Sequence, residues 1–176
     1  MFNKRDEKLV EQALKGNKKA WVTLISRYET AMYQYGIRMT GNSHDAADLM
    51  QEIFISVFRS LACFKGEGSF KSWLYRIAHC RCVELYRKRK PHSDIDDIQA
   101  PLCGAPCPEM QLYSDRESRA LTQAMQTLPL GQKAVVELKF FGHFTFEEIA
   151  QQMDISVNTA KSRLYAALAK LKLELE

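Results

Sequence analysis

Nothing in this 176-residue chain gives catalysis a foothold: it has no glycine-rich phosphate loop, no nucleophile elbow and no carboxylate dyad. No apolar run is long enough to span a bilayer, and the opening MFNKRDEKLVEQ is too charged for a signal-peptide core, so the cytosol is the expected location. The five cysteines, Cys63, Cys80, Cys82, Cys103 and Cys107, are odd in number and form no secreted disulfide framework. Reduced thiols are therefore expected. Cys103 and Cys107 lack the tight paired spacing of a structural zinc site, and the four histidines include no helical ligand pair, so neither metal nor cofactor is expected. Proline is scarce and clustered, with four of the five between Pro91 and Tyr113.

What is present is ordinary globular material, 46% hydrophobic and 26% charged, enough for one large domain or two small ones. The net charge of +4 is unevenly spread. Basic residues crowd Arg59 to Lys90, whereas Asp94, Asp96, Asp97, Glu109, Asp115 and Glu117 follow with only Arg116 among them. This alternation of sign suggests a polyanion-binding module followed by a segment that is not one.

The strongest helical signal is Ser69 to Lys90. Ser69 can cap the first turn, no Gly or Pro interrupts the run, and Pro91 disfavours continuation. Leu74, Ile77, Ala78, Cys82 and Leu85 share one face with Phe70 leading into it, and Arg81 is a misfit on that stripe. The remaining surface carries Lys71, Arg76, Arg87, Lys88, Arg89 and Lys90, with Trp73, Tyr75 and Tyr86 interleaved. Cations beside flat aromatic rings suit phosphate contact and base stacking. The plainer alternative is that the terminal cations complement the helix dipole while Trp73 is core.

Upstream, the pattern predicts a helix over Arg5 to Lys15, one capped by Asn17 that runs to Gly41, and one capped by Ser43 that buries Ala47, Met50, Phe54, Val57 and Leu61. Asp48, Gln51 and Glu52 are expected near the exposed side of this third helix. Downstream, Pro91 to Tyr113 has no helical or strand period and reads as an acidic linker. Helical pattern resumes from Asp115 to Thr127, breaks at Leu128-Pro129, and continues to Gly142. Thr145 and Glu148 form a capping box, and Ser156 caps a last helix that reaches Leu173.

The two helices joined by Met153 to Ser156 have the form of a helix-turn-helix. Ile149, Ala150, Ile155, Val157, Ala160 and Leu164 supply its apolar seam, while Asn158, Thr159, Lys161, Ser162, Arg163 and Tyr165 cluster where base and phosphate contacts arise. An ordinary helical hairpin is the duller alternative.

Taken in order, DAADLMQEIFISVFRSL (Asp45 to Leu61), FKGEGSFKSWLYRIA (Phe64 to Ala78), YRKRK (Tyr86 to Lys90), LP followed by QKAVVELK, and TFEEIAQQMDISVNTAKSRLYAALAKLK (Thr145 to Lys172) resemble the extracytoplasmic-function sigma factors of bacterial RNA polymerase. The resemblance covers nearly the whole chain. It implies an all-α, non-catalytic initiation factor of two small helical domains: residues 1–90 for core polymerase and the minus-ten element, a linker at 91–113, and residues 114–176 for the minus-thirty-five element. It assigns Asp48, Gln51 and Glu52 to core polymerase. It assigns Phe64, Lys65, Gly66, Ser69, Phe70, Lys71, Trp73, Tyr75, Arg76, Arg87 and Lys88 to the melted strand, with a flipped base held near the loop. Asn158, Thr159, Lys161, Ser162, Arg163 and Tyr165 fall to the upstream duplex. An anti-sigma factor is implied as a further partner.

The chain departs from the family at Cys80, where Asn is usual, at Glu84, where Asp is usual, and at His143, where Gly is common. Two rival readings are a stand-alone helix-turn-helix regulator with an N-terminal sensory domain and an RNA-binding protein. The first needs an effector pocket and a dimer surface, and the duplex-type reading helix weakens the second.

Overall fold

The computed structural model describes residues 4–89 and 116–176, and every regular element among them is helical. The N-terminal half comprises α1 (Lys4–Leu14), α2 (Lys18–Thr40), α3 (Ser43–Ser60), a 3-10 turn (Leu61–Cys63) and α4 (Phe70–Arg89). The C-terminal half comprises α5 (Arg116–Gln126), α6 (Leu130–Val136), α7 (Phe146–Met153) and α8 (Val157–Leu175). The acidic linker expected at 91–113, with Cys103 and Cys107, and the end of the basic run at Lys90 lie outside the described residues.

Side chains fix the helix ends. The Asn17 side chain accepts from the amides of Lys19 and Ala20 at 3.0 and 3.2 Å, satisfying two of the donors that a helix start leaves open. Gly41 closes α2 with φ +78°, and its amide donates to Ile37 O at 2.8 Å. The cap of α3 is Asn42, which accepts from Asp45 N at 2.8 Å, so the cap lies one residue before the Ser43 expected from sequence and the helix begins at Ser43 itself. Asp45 also holds Arg89 at 2.6 Å, tying the start of α3 to the end of α4.

The core of this half is built from Leu24, Met32, Tyr35 and Met39 of α2, Leu49, Ile53 and Val57 of α3, and Phe70, Leu74, Ala78 and Cys82 of α4. The buried stripe of α3 thus runs through Ala46, Leu49, Ile53 and Val57, a rotation from the expected one: Ala47, Met50 and Phe54 are only half-buried. Apolar residues occupy both adjacent stripes, so periodicity alone could not choose between them. A close crossing decides it. At Gly36 of α2, an added Cβ would lie 2.9 Å from both Cα and O of Ala46, so the two backbones nearly touch there. That approach places the Ala46 stripe against α2.

In the C-terminal half, the helix after Pro129 does not stay α-helical to Gly142. Glu137–Phe141 forms a π-helical turn closed by Gly142 N donating to Glu137 O at 2.9 Å. Gly142 is required for space, because a Cβ would meet the Phe144 ring at 2.6 Å and Leu138 O at 2.7 Å. His143 then takes φ +60°, a left-handed conformation that glycine adopts without steric cost. The halves are in contact: α2 packs on α5 and α6, α4 packs on α7, and the buried apolar side chains of both join one cluster.

Gly36→Ala tests the close crossing. Even one methyl inserted between the two backbones should destabilise the fold by about 1–3 kcal/mol, measured by urea unfolding, whereas Ala at the open Gly16 site bears only its backbone conformation.

Candidate nucleic-acid interface

The loop before α4 is shaped by glycine conformation rather than by close packing. Gly66 and Gly68 take φ +73° and +87°, and an added Cβ at either would meet nothing within 4 Å. Beneath the loop lies an aromatic cluster: Phe64 sits 5.9 Å from Phe70 and 5.3 Å from Trp73, ring centre to ring centre, and Phe70 packs on Tyr28 at 5.5 Å. Phe70 is buried and anchors the loop; Phe64 and Trp73 are half-buried and form its floor. The Ser69 hydroxyl accepts from Ser72 N at 3.1 Å, so α4 starts where the sequence predicts.

Along α4, Arg76, Arg87 and Lys88 are exposed, and Lys65 is exposed in the loop. Tyr75 and Tyr86 are not on that surface, contrary to the expected interleaving: both are buried. Tyr75 meets Phe144 edge-on at 5.2 Å and Tyr35 at 6.1 Å, while the Tyr86 hydroxyl donates to Met39 O. A tyrosine with an internal partner for its hydroxyl joins the core as readily as phenylalanine does. Arg81, the misfit of the apolar stripe, is half-exposed and paired with Glu84 at 2.7 Å. Lys71 is partly buried, which lowers its ammonium below the usual lysine value, and it donates to Gly142 O at 2.6 Å. His79 is pushed down to about 4, first by burial and then by the nearby Arg163 cation, so it is neutral at physiological pH.

The helix-turn-helix is formed by α7 and α8. Both halves of the capping box are made: Thr145 N donates to the Glu148 side chain at 2.8 Å, and Glu148 N to the Thr145 hydroxyl at 3.2 Å. Asp154 takes φ +54° in the turn, and Ser156 accepts from Thr159 N at 3.0 Å. Ile149, Ala150, Ala160 and Leu164 are buried between the helices, and Ile155 and Val157 are half-buried. Asn158, Lys161, Ser162 and Tyr165 project into solvent, Thr159 is half-buried and bonded to its cap, and Arg163 is half-buried. A row of polar groups at the N-terminal end of the second helix is what entry into a major groove requires.

On α3, Asp48, Gln51 and Glu52 are exposed as expected. Sequence reading missed their apolar neighbours. Phe58 is 66% exposed and Ile55 42%, and the Phe58 ring meets Trp21 at 5.2 Å. Their signal in the sequence is an i, i+3 apolar pair off the buried stripe. Exposed aromatic surface beside polar residues marks a docking face more often than scattered apolar exposure does.

The sigma-70 region 2 family matches residues 24–92 and the sigma-70 region 4 family residues 118–171. The extracytoplasmic-function RNA polymerase sigma-E factor of Haemophilus influenzae is 32% identical over 172 residues, spanning 92% of this chain and 90% of that protein. The chain belongs to the extracytoplasmic-function sigma factors. The SigW sigma factor of Bacillus subtilis is 30% identical over 96% of both chains. Two solved structures share the fold of this sigma factor at a TM-score of 0.71. They are CnrH in complex with the cytosolic domain of CnrY, 25% identical over 97% of each chain, and RpoE of Bartonella quintana with the anti-sigma factor NepR, 20% identical over 89% of this chain and 97% of that one. Among its described residues, no helix of this sigma factor is long and apolar enough to cross a membrane.

The capping box offers a local test of the helix-turn-helix. Thr145→Ala should cost about 1 kcal/mol of stability in chemical unfolding, and Thr145→Ser should restore most of it, because the hydroxyl and not the methyl supplies the cap.

Proposed function

We propose that this sigma factor binds core RNA polymerase through α3, holds a melted promoter strand on the loop 64–69 and the cationic side of α4, and reads the upstream duplex with α8. Residues 1–90 act as the polymerase and minus-ten domain, 91–113 as the linker, and 114–176 as the minus-thirty-five domain. The factor itself catalyses nothing: the polymerase supplies the chemistry, and both work in the cytosol. An anti-sigma factor is the remaining partner, in keeping with the solved complex of its Bartonella relative. One observation carries the reading. A capped reading helix with an exposed polar start and a separate cationic helix, led in by a loop of positive-φ glycines, occur in one chain in the family's order. Family membership leaves the stand-alone regulator without support. The direct test is to add the purified protein to core polymerase and sequence the starts of transcripts made from fragmented genomic DNA. Starts that share an upstream sequence are expected, and starts no different from those of core alone would refute the proposal.

Replacing Asp48, Gln51 and Glu52 together with Ala should weaken binding to core polymerase in a competition assay. These exposed changes should each alter stability by only about 0.5 kcal/mol, so unchanged affinity would remove α3 as the docking face.

Lys161 and Arg163 divide the work of the reading helix. Residues two apart point about 200° apart around a helix, so the pair does not share the groove floor. Lys161 is exposed one turn before Tyr165 and is placed toward the bases; the half-buried Arg163 is placed on a flanking phosphate. Lys161→Ala should change which upstream base is preferred, at about 1–3 kcal/mol, whereas Arg163→Ala should weaken all sequences alike and flatten the salt dependence. Binding to a panel of single-base duplex variants at several salt concentrations separates the two.

A further inference from the structure

The cysteines among the described residues sit in two very different places. Cys82 is buried in the core, where burial pushes its thiol up to about 12, so it is chemically inert. Cys80, two residues away on α4, and Cys63 in the 3-10 turn are exposed free thiols. Both open onto one cleft of about 510 Å³ between the end of α3 and the middle of α4.

The charge of this cleft is of one sign. Arg59 of α3 and Arg76 and Arg81 of α4 line it, and no acid does. The Ser56 and Ser60 hydroxyls on its α3 side spend their protons on Glu52 O and Ser56 O, at 2.7 and 2.6 Å, leaving the three guanidiniums as its cationic donors. Arg81 has one arm on Glu84 at 2.7 Å, while its Nε is shut off from solvent and has no acceptor. Trp73 and Ile77 add an apolar wall on the same helical face as Cys80. Exposed thiols in electropositive surroundings are the ones that react.

We propose that Cys80 is a modification site, which takes up a small anionic thiol as a mixed disulfide, and that the adduct blocks the strand-binding side of α4. The blocking role rests on the strand-binding reading of α4 given above; the modification does not. The co-reactant is the symmetrical disulfide of a carboxylate-bearing thiol. The Cys80 sulfur, having lost its proton, attacks one sulfur of that disulfide; the new S–S bond forms as the old one breaks, and the departing thiolate takes up a proton. The Cys80 sulfur is oxidised and the departing sulfur reduced, so no further oxidant is needed. Attraction between the guanidiniums and the carboxylates concentrates the reagent in the cleft. The adduct then leaves carboxylates beside Arg76, which lines both this cleft and the neighbouring one that holds Lys71 and Trp73. A guanidinium engaged there is lost to phosphate.

The site is tested on the full-length reduced protein with oxidised glutathione, which is anionic, and cystamine, which is cationic, following each cysteine by peptide mass spectrometry. Dividing each rate by that of the same cysteine in the urea-unfolded chain removes the intrinsic difference between the reagents. On that scale Cys80 should react about tenfold faster with oxidised glutathione than with cystamine. Arg59→Gln combined with Arg81→Gln should level the two rates with helicity unchanged by circular dichroism, and Cys82 should stay unmodified throughout. Equal rates in the wild-type protein, or uptake at Cys63 with Cys80 spared, overturns the site whatever α4 binds. For the blocking role, the glutathione adduct should bind a random single-stranded 20-mer oligodeoxynucleotide about tenfold more weakly than the reduced protein. Dithiothreitol should reverse the loss, and Cys80→Ser should be insensitive to oxidised glutathione. Arg76→Gln in the reduced protein tests the strand-binding reading by itself. If it weakens strand binding and the adduct does not, the blocking role is refuted and the reading stands; if neither weakens it, the reading falls together with the blocking role.

Discussion

The fold depends on keeping two opposite charges, Lys133 and Glu137, out of water a single helical turn apart. Each is held by partners from outside its own helix. Burial pulls the Lys133 ammonium down to about 8, and it raises the Glu137 carboxyl, with Arg38 acting in the opposite direction on the carboxyl. The buried Arg38–Glu137 pair adds little net stability once formed, yet breaking it from one side costs about 3–5 kcal/mol, because the remaining charge is stranded. That asymmetry separates specifying an arrangement from stabilising it. The seam between the halves therefore has one geometry without being the main source of stability, which comes from the buried apolar cluster that both halves share.

A π-helical turn, Glu137–Phe141, follows directly and shifts the residues after it. Glu137 faces Arg38 and Phe141 lies over the same guanidinium. Gly142 follows with no room for a side chain, and His143 accepts a left-handed conformation so that the chain can reach the Thr145 cap. Glycine would be a natural choice for φ +60° at the position of His143. This chain tolerates the backbone cost there with the imidazole in solvent.

The course of the helices was legible from sequence because their ends are signalled locally: Asn17, Ser69, Thr145 and Ser156 cap where expected. The exposed starts of α3 and α8 were legible for the same reason, since polar residues off an apolar stripe have few other places to go. Faces were less secure. The stripe of α3 was rotated because two apolar rows lie side by side, and only the Gly36 to Ala46 crossing, a contact between distant residues, selects one. Tyr75 and Tyr86 read as surface aromatics among cations, but each finds an internal partner, Phe144 for one ring and Met39 O for the other hydroxyl. The seam was illegible throughout: Arg38, Lys133 and Glu137 are ordinary charged residues on ordinary helices, and only tertiary structure brings residues 99 positions apart into a bidentate pair.

The two proposed nucleic-acid surfaces also stand on different physical footing. The surface proposed on α8 comes from a local unit, two helices locked by a capping box, an αL turn and a serine cap, so its shape is set within that unit. The α4 surface is assembled differently. Its backbone is fixed by an aromatic floor in its own half, but Lys71, Ser72 and Tyr75 take their present partners from the other half. The α7–α8 unit thus carries its own shape, whereas the partners of Lys71, Ser72 and Tyr75 depend on how the halves pack, with Arg76, Arg87 and Lys88 of the same helix exposed.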